Sequence, residues 1–114
     1  MKTISILGST GSVGTQTLDL ILAEPERYRV RALVAGRNAA LLAEQARLCR
    51  PDIAVIHDPA GLETLAHALD GSGIAVAAGP EAVKEAAALP ADWTMAAIIG
   101  MAGLHPTLTA IRRG

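Results

Sequence analysis

Short apolar strands alternating with amphipathic helices predict an α/β fold, built as a doubly wound, mostly parallel sheet with helices on both faces. Three observations carry this expectation. Segments such as Ile53 to Ile56 and Met95 to Ile99 are apolar throughout rather than at every second residue, as strands buried on both faces must be. The stretches between them repeat apolar residues at helical spacing. Three glycines spaced three apart, Gly8, Gly11 and Gly14, stand between the first strand and the first helix. Together they define a Rossmann-like pattern.

The elements follow in order. Thr3 to Leu7 reads as a strand and Ser12 to Leu22 as a helix, with Val13, Thr17 and Ile21, and Leu18 and Leu22, at helical spacing before Pro25 stops it. Tyr28 to Ala35, rich in valine and leucine, is the second strand. Asn38 is placed to cap a helix from Ala39 to Leu48, which Pro51-Asp52 ends. Ile53 to Ile56 is the third strand. Pro59 suits the first turn of a helix carrying Leu62, Leu65, Ala66 and Leu69. After the turn Asp70-Gly71-Ser72-Gly73, Ile74 to Ala77 is the fourth strand and Glu81 to Ala88 the next helix. Met95 to Ile99 is the fifth strand. His105 to Arg113 is expected to be a last helix, with Pro106 near its start and Gly114 as its cap. A sheet of this class calls for a further strand after that helix, so residues 1–114 read as the first part of a longer protein.

Composition narrows the function. The 114 residues make one domain with a real core, and 51% of them are hydrophobic, which excludes disorder. Phenylalanine is absent, so the core must come from Leu, Ile, Val and many alanines. Ten basic and eleven acidic residues leave a net charge of −1, with no broad positive field for nucleic acid. The longest strongly apolar run, Met95 to Leu104, contains two glycines and is too short to span a bilayer. The N-terminus does not read as a secretion signal. Cys49 is the single cysteine, which rules out a disulfide within the chain and points to a plain thiol on a helix. A reducing, cytoplasmic setting fits.

The glycine loop is the first functional signal. A strand that ends in a tight turn at the start of a helix presents peptide N–H groups to an anion. Ser9 stands where the familiar G-x-G-x-x-G pattern has its second glycine, whereas Gly11 and Gly14 match its last two. Gly11 would let the backbone approach a diphosphate, and Gly14 would let the helix lie close to the sheet. Ser9, Thr10 and Ser12 add hydroxyls for phosphate oxygens. A P-loop is excluded, because no lysine follows Gly8 before Lys84.

The end of the second strand selects among cofactors. An NAD site places a carboxylate there for the ribose hydroxyls. This chain instead continues Gly36-Arg37-Asn38. A guanidinium pairs with a ribose 2′-phosphate that a carboxylate would repel, so Arg37 with Asn38 points to NADP(H). The competing explanations are a structural tight turn for the glycines and an ordinary solvated arginine for Arg37.

Other candidates are weaker. The carboxylates are scattered, with no pair suited to Mg²⁺ or Mn²⁺. Asp58, ahead of Pro59, reads as a helix N-cap. His57 and His105 lie at the ligand edge of such a fold, near where adenine and nicotinamide would sit. A surface position is the default for His57, and His67 reads as half-exposed. Trp93 precedes the fifth strand and is expected to pack at the bottom of the sheet, with Met95 and Met101 as filler. No catalytic trio and no metal site is expected within residues 1–114.

Four ordered blocks resemble a known family: Gly8-Ser-Thr-Gly-Ser-Val-Gly14, Thr17-Leu18-Asp19, Leu33-Val-Ala-Gly-Arg-Asn38 and Ile99-Gly-Met-Ala-Gly-Leu-His-Pro-Thr-Leu-Thr-Ala-Ile-Arg112. They are similar to 1-deoxy-D-xylulose 5-phosphate reductoisomerase, over the N-terminal part of its cofactor domain. The resemblance implies NADPH-dependent conversion of that phosphosugar to 2-C-methyl-D-erythritol 4-phosphate in the non-mevalonate route to isoprenoids. It implies Mg²⁺ or Mn²⁺ held outside this segment, and a homodimer. It carries the cofactor contacts onto Thr10, Gly11, Ser12 and Val13, and onto Gly36, Arg37 and Asn38. The family often has lysine at the position of Arg37, and more often a small alanine at that of Met101. The metal carboxylates, phosphate site and lid would lie beyond Gly114, so the segment alone is expected to be inactive. The alternatives are a non-catalytic dinucleotide-sensing module and an NADP-dependent oxidoreductase for another small carbonyl compound.

Overall fold

A strand buried on both faces needs apolar side chains in both directions and helices to cover each side. The computed structural model, which describes residues 2–96 and 109–112, has that arrangement. Strand β1 spans Lys2–Leu7, helix α1 Ser12–Leu22, β2 Tyr28–Ala35, α2 Ala39–Cys49 and β3 Ile53–Ile56. One 3-10 turn, Pro59–Gly61, leads into α3, Leu62–Ala68; β4 is Ala75–Ala78, α4 Pro80–Ala88, β5 Trp93–Ala96 and β6 Thr109–Arg112.

The sheet order is β4-β3-β2-β1-β5-β6, with β1 to β5 parallel. The chain walks outward from β1 to β4 and then returns to the other side of β1 as β5. Sheets of this class bind ligands outside the C-terminal ends of the strands at such a reversal. At their opposite ends β1 and β5 are tied by a reciprocal pair. Thr3 N–H donates to Asp92 Oδ2 at 2.8 Å, and Asp92 N–H donates to the Thr3 carbonyl at 2.9 Å.

The two faces have separate cores. Leu18 and Ile21 of α1, Leu42 and Ala46 of α2, and Leu65 of α3 pack with Ile4, Ile6, Leu33 and Ile56. On the other face Val83 and Ala86 of α4 pack with Leu7, Ala32, Val34 and Val55. Consecutive residues of β2 thus face opposite layers, which is why the strand reads as unbroken apolar sequence. One irregularity interrupts it. Ile4 pairs with Val30 but Ser5 with Ala32, leaving Arg31 as the extra residue of a bulge. Its guanidinium bonds Asp52 Oδ2 at 3.1 Å, and Arg29 bonds the other oxygen of the same carboxylate.

Helix ends follow the expected chemistry. Asn38 Oδ1 accepts from Leu41 N–H at 3.1 Å, and Asp58 Oδ1 from Ala60 N–H at 3.0 Å. Arg50 closes α2 in the left-handed region (φ 49°), ahead of Pro51. The buried stripe of α1 is Gly14, Leu18 and Ile21, while Val13 is exposed.

The expected helix over His105 to Arg113 is corrected where it can be compared. Thr109–Arg112 is a strand, antiparallel to β5 with Trp93 opposite Arg112. Its sequence alternates β-branched Thr109 and Ile111 with other residues, and pairing satisfies the edge of β5, which a helix there would leave open. Residues 105–108 lie outside the described residues, as do the upper part of the predicted fifth strand, Met101 and His105. Trp93, expected just before the fifth strand, is its first residue and packs against the larger core.

Leu33 is fully buried at the centre of that core. Leu33→Ala is expected to lower unfolding free energy by about 2–5 kcal/mol, measured by denaturant titration.

Candidate functional site

The glycine loop is held from below. Gly8 N–H and Ser9 N–H both donate to the Val34 carbonyl, at 2.7 and 3.0 Å, so the loop is anchored to the end of β2. Gly8 takes a positive φ of 99°, the conformation glycine adopts without strain. Helix α1 then starts directly over the loop. A β-carbon at position 14 would sit 2.0 Å from the Gly8 carbonyl oxygen, so no side chain fits there. Gly14 therefore has the close-packing role read from the sequence.

Gly11 and Gly36 are different. A β-carbon at Gly11 would meet the Gly8 oxygen at an ordinary 3.6 Å, and one at Gly36 would meet nothing within 4 Å. Neither has a positive φ. The packing of this domain does not require glycine at either place, and both lie at the sheet edge where a ligand would approach.

The start of α1 carries open donors. Gly11 is its N-cap, with no side-chain cap and no acidic residue in the first turn. Among the described residues, the N–H groups of Thr10, Ser12, Val13 and Gly14 have no hydrogen-bond acceptor. Gly11, Ser12 and Val13 are exposed and Thr10 half-buried. Ser9 is not available as read from the sequence. It is fully buried, and its hydroxyl has no partner among the described residues. Its carbonyl accepts from Gln45 Nε2 at 2.8 Å.

The second segment lies on the same edge. Leu7 and Val34 pair across β1 and β2, so the glycine loop and Gly36-Arg37-Asn38 leave adjacent strand ends. His57 N–H donates to the Ala35 carbonyl at 2.7 Å and Asp58 N–H to the Gly36 carbonyl at 2.9 Å, which docks the end of β3 beside them. Half-buried His57 thus sits at the ligand edge. With Asn38 Oδ1 committed to the cap, its amide NH₂ is left to donate. Arg37 is exposed and, among the described residues, its guanidinium has no partner. Arg27 pairs with Glu24, Arg29 and Arg31 with Asp52, Arg47 with the Ala68 carbonyl and Arg50 with the Ser72 carbonyl. Those arginine side chains serve the fold, whereas the Arg37 guanidinium serves no contact among the described residues.

The remaining groups are accounted for otherwise. No group of three His, Cys, Asp or Glu that could hold a metal ion occurs among the described residues. No helix among them is long and apolar enough to cross a membrane. A cavity of about 740 Å³ lies away from the glycine loop, between the second half of α1 and the N-terminal ends of β1 and β5, lined by Ile4, Leu20, Ile21, Tyr28, Trp93 and Met95. Its lining is mostly apolar, with Lys2, Glu24 and Arg27 as its charged members. Cys49 is half-buried, and burial pushes its thiol up to about 12.

The fold and this edge define a doubly wound α/β protein of the nucleotide-binding type. Comparison with known proteins makes the assignment particular. Residues 4–114 match the family model of 1-deoxy-D-xylulose 5-phosphate reductoisomerase, and the chain belongs to that family. It is 61% identical over its whole length to the reductoisomerase of Rhodospirillum centenum, of which it covers 28%. It is 58% identical over 113 residues to that of Gluconobacter oxydans, again covering 28%. The structure of the Zymomonas mobilis enzyme in complex with NADPH superposes with a TM-score of 0.87 at 51% identity, over 93% of this chain and 28% of that one. A DOX-P reductoisomerase in complex with NADPH, fosmidomycin and magnesium superposes with a TM-score of 0.81 at 31% identity, over 93% of this chain and 26% of that one. The chain therefore spans little more than a quarter of the length of these relatives.

Gln45 is the residue that sequence reasoning missed. It falls on the buried face of α2 among Leu42, Ala43 and Ala46. A polar residue inside that apolar stripe was the available signal.

Gly14→Ala is expected to destabilise the fold by about 3 kcal/mol or more, because backbone must move to admit the methyl group. Gly36→Ala should leave stability unchanged or raise it by up to about 1 kcal/mol, and thermal melts of the two variants compare them. Native Cys49 is expected to react with a maleimide at pH 8 at least about 100-fold more slowly than in the unfolded chain. Its raised pKa also means that burial of the neutral thiol stabilises the fold below the ordinary thiol range. That contribution is lost as pH rises toward 12, since the unfolded chain ionises first.

Proposed function

We propose that residues 1–114 form the N-terminal, NADPH-binding part of a longer reductoisomerase that converts 1-deoxy-D-xylulose 5-phosphate to 2-C-methyl-D-erythritol 4-phosphate. The observation that carries this is the pairing of open donors at the start of α1 with an unpartnered Arg37 on the adjacent strand end. The N–H groups of Thr10, Ser12 and Val13 would hold the cofactor's diphosphate, with Gly11 leaving room for its approach. Arg37 and the Asn38 amide would hold the 2′-phosphate, with Gly36 leaving room beside it. The lack of a carboxylate at the end of β2 removes the partner that NADH would need. Solved relatives in complex with NADPH support the choice of cofactor.

Bound NADPH supplies a hydride to a carbonyl carbon. These residues bind and orient it, and none of them handles the reacting atoms. No step through a metal is assigned to this segment. On this reading the divalent cation, the phosphosugar site and the lid would belong to the rest of the enzyme, which would be a homodimer. The segment by itself would be inactive, and its setting cytoplasmic.

The test is binding of NADPH against NADH to the full-length protein, with Arg37→Glu beside the wild type. NADPH is expected to bind preferentially, and the substitution to weaken it by roughly 10- to 100-fold with little effect on NADH. An unchanged ratio would remove Arg37 from the site. Turnover is followed by loss of reduced-nicotinamide absorbance on adding the phosphosugar with Mg²⁺ or Mn²⁺, and no turnover would refute the proposed reaction.

A further inference from the structure

A buried amide on α2 reaches back across the sheet edge to the glycine loop. Gln45 is only 5% exposed, and its Nε2 donates to the Ser9 carbonyl at 2.8 Å, thirty-six residues away in sequence. Its own Oε1 is buried without a partner among the described residues. An amide half satisfied in this way is a poor stabiliser, since an unpaired buried acceptor costs about as much as the made bond returns. What the bond does accomplish is geometric. The Ser9 carbonyl and the Thr10 N–H belong to one planar trans peptide, so they point in opposite directions. Ser9 is fully buried, and Gln45 draws its carbonyl inward. The Thr10 N–H must then face outward, to the side where Ser12 and Val13 are exposed, and it has no acceptor within the described residues. The other side-chain donor near this carbonyl, Thr15 Oγ1, is 3.4 Å away and makes its shorter bond, 2.7 Å, to the Gly11 carbonyl. Gln45 is thus the main restraint on that peptide.

We propose that Gln45 is a positioning residue for cofactor binding, locking the Ser9–Thr10 peptide so that the Thr10 N–H is already aimed at the diphosphate. This rests on the reading of the loop as the diphosphate site. Removing the donor frees the peptide to rotate, and part of the binding energy is then spent on turning it.

Gln45→Met in the full-length protein keeps length and shape but offers no donor. The expected result is a dissociation constant about tenfold or more higher for NADPH and NADH alike, with their ratio unchanged, because both carry the diphosphate. Melting without cofactor should stay within about 4 °C of the wild type. In turnover, KM for NADPH should rise while kcat at saturating NADPH is kept. Gln45→Glu, with a carboxylate set against the carbonyl, should bind more weakly still. Independently of any variant, the Thr10 amide resonance of the wild type should shift on adding NADPH. Equal affinity in Gln45→Met, a loss confined to NADPH, or a Thr10 resonance that does not move would each overturn this inference while leaving the cofactor assignment intact. A wild-type protein that binds neither dinucleotide would overturn both.

Discussion

Helix α1 rests on the carbonyl of Gly8 with no room for a side chain between them, and the rest of the ligand edge follows from that contact. Because Gly14 allows the approach, the first turn of the helix sits immediately above the end of β1. Leu18 and Ile21, one and two turns further on, then meet Ile4 and Ile6 on the same face of the sheet. The same seating points the uncapped N–H groups of the first turn outward at the place where the strand order reverses. A larger residue at position 14 would lift the helix and spoil both the core and the donor array.

The edge divides into parts that the fold uses and parts that it does not. Gly14 and Gly8 answer to sterics and backbone conformation, and Val34 spends its carbonyl holding the loop. Asn38 serves twice, with its oxygen capping α2 and its NH₂ left to donate. The missing side chains of Gly11 and Gly36 answer to no packing contact, and the Arg37 guanidinium has no partner among the described residues. Arginines elsewhere tie strands and turns together, so an unpartnered guanidinium beside two sterically unnecessary glycines stands out against that background. Both groups of residues proposed to contact NADP(H) fall on this edge.

Much of this was legible in sequence because local rules decide it. Strands β1 to β4, helices α1 to α4, the Asn38 and Asp58 caps and the role of Gly14 depend on residues near one another in the chain. The exceptions depend on distant partners. Thr109–Arg112 has a pattern compatible with a helix, yet it pairs with β5. Ser9 looks like a loop hydroxyl from its neighbours, but burial turns it inward. Gln45 stands as a polar residue in an apolar helix stripe, and its partner is not named until Ser9 is found opposite it. Arg31 sits in an apolar run because a bulge lets it out to Asp52, which the run itself does not announce.

The amino-acid sequence by itself determined the class of fold, the order of its elements from β1 to β5 and the two segments proposed here to bind a phosphorylated dinucleotide. These are questions of periodicity, glycine placement and charge, which act over a few residues. Tertiary structure decided which backbone groups remain open among the described residues, that the Arg37 guanidinium is spare, and that a glutamine on the second helix bonds the first loop. Those answers depend on hydrogen bonds and contacts between residues tens of positions apart, and a one-dimensional pattern carries no distance between them.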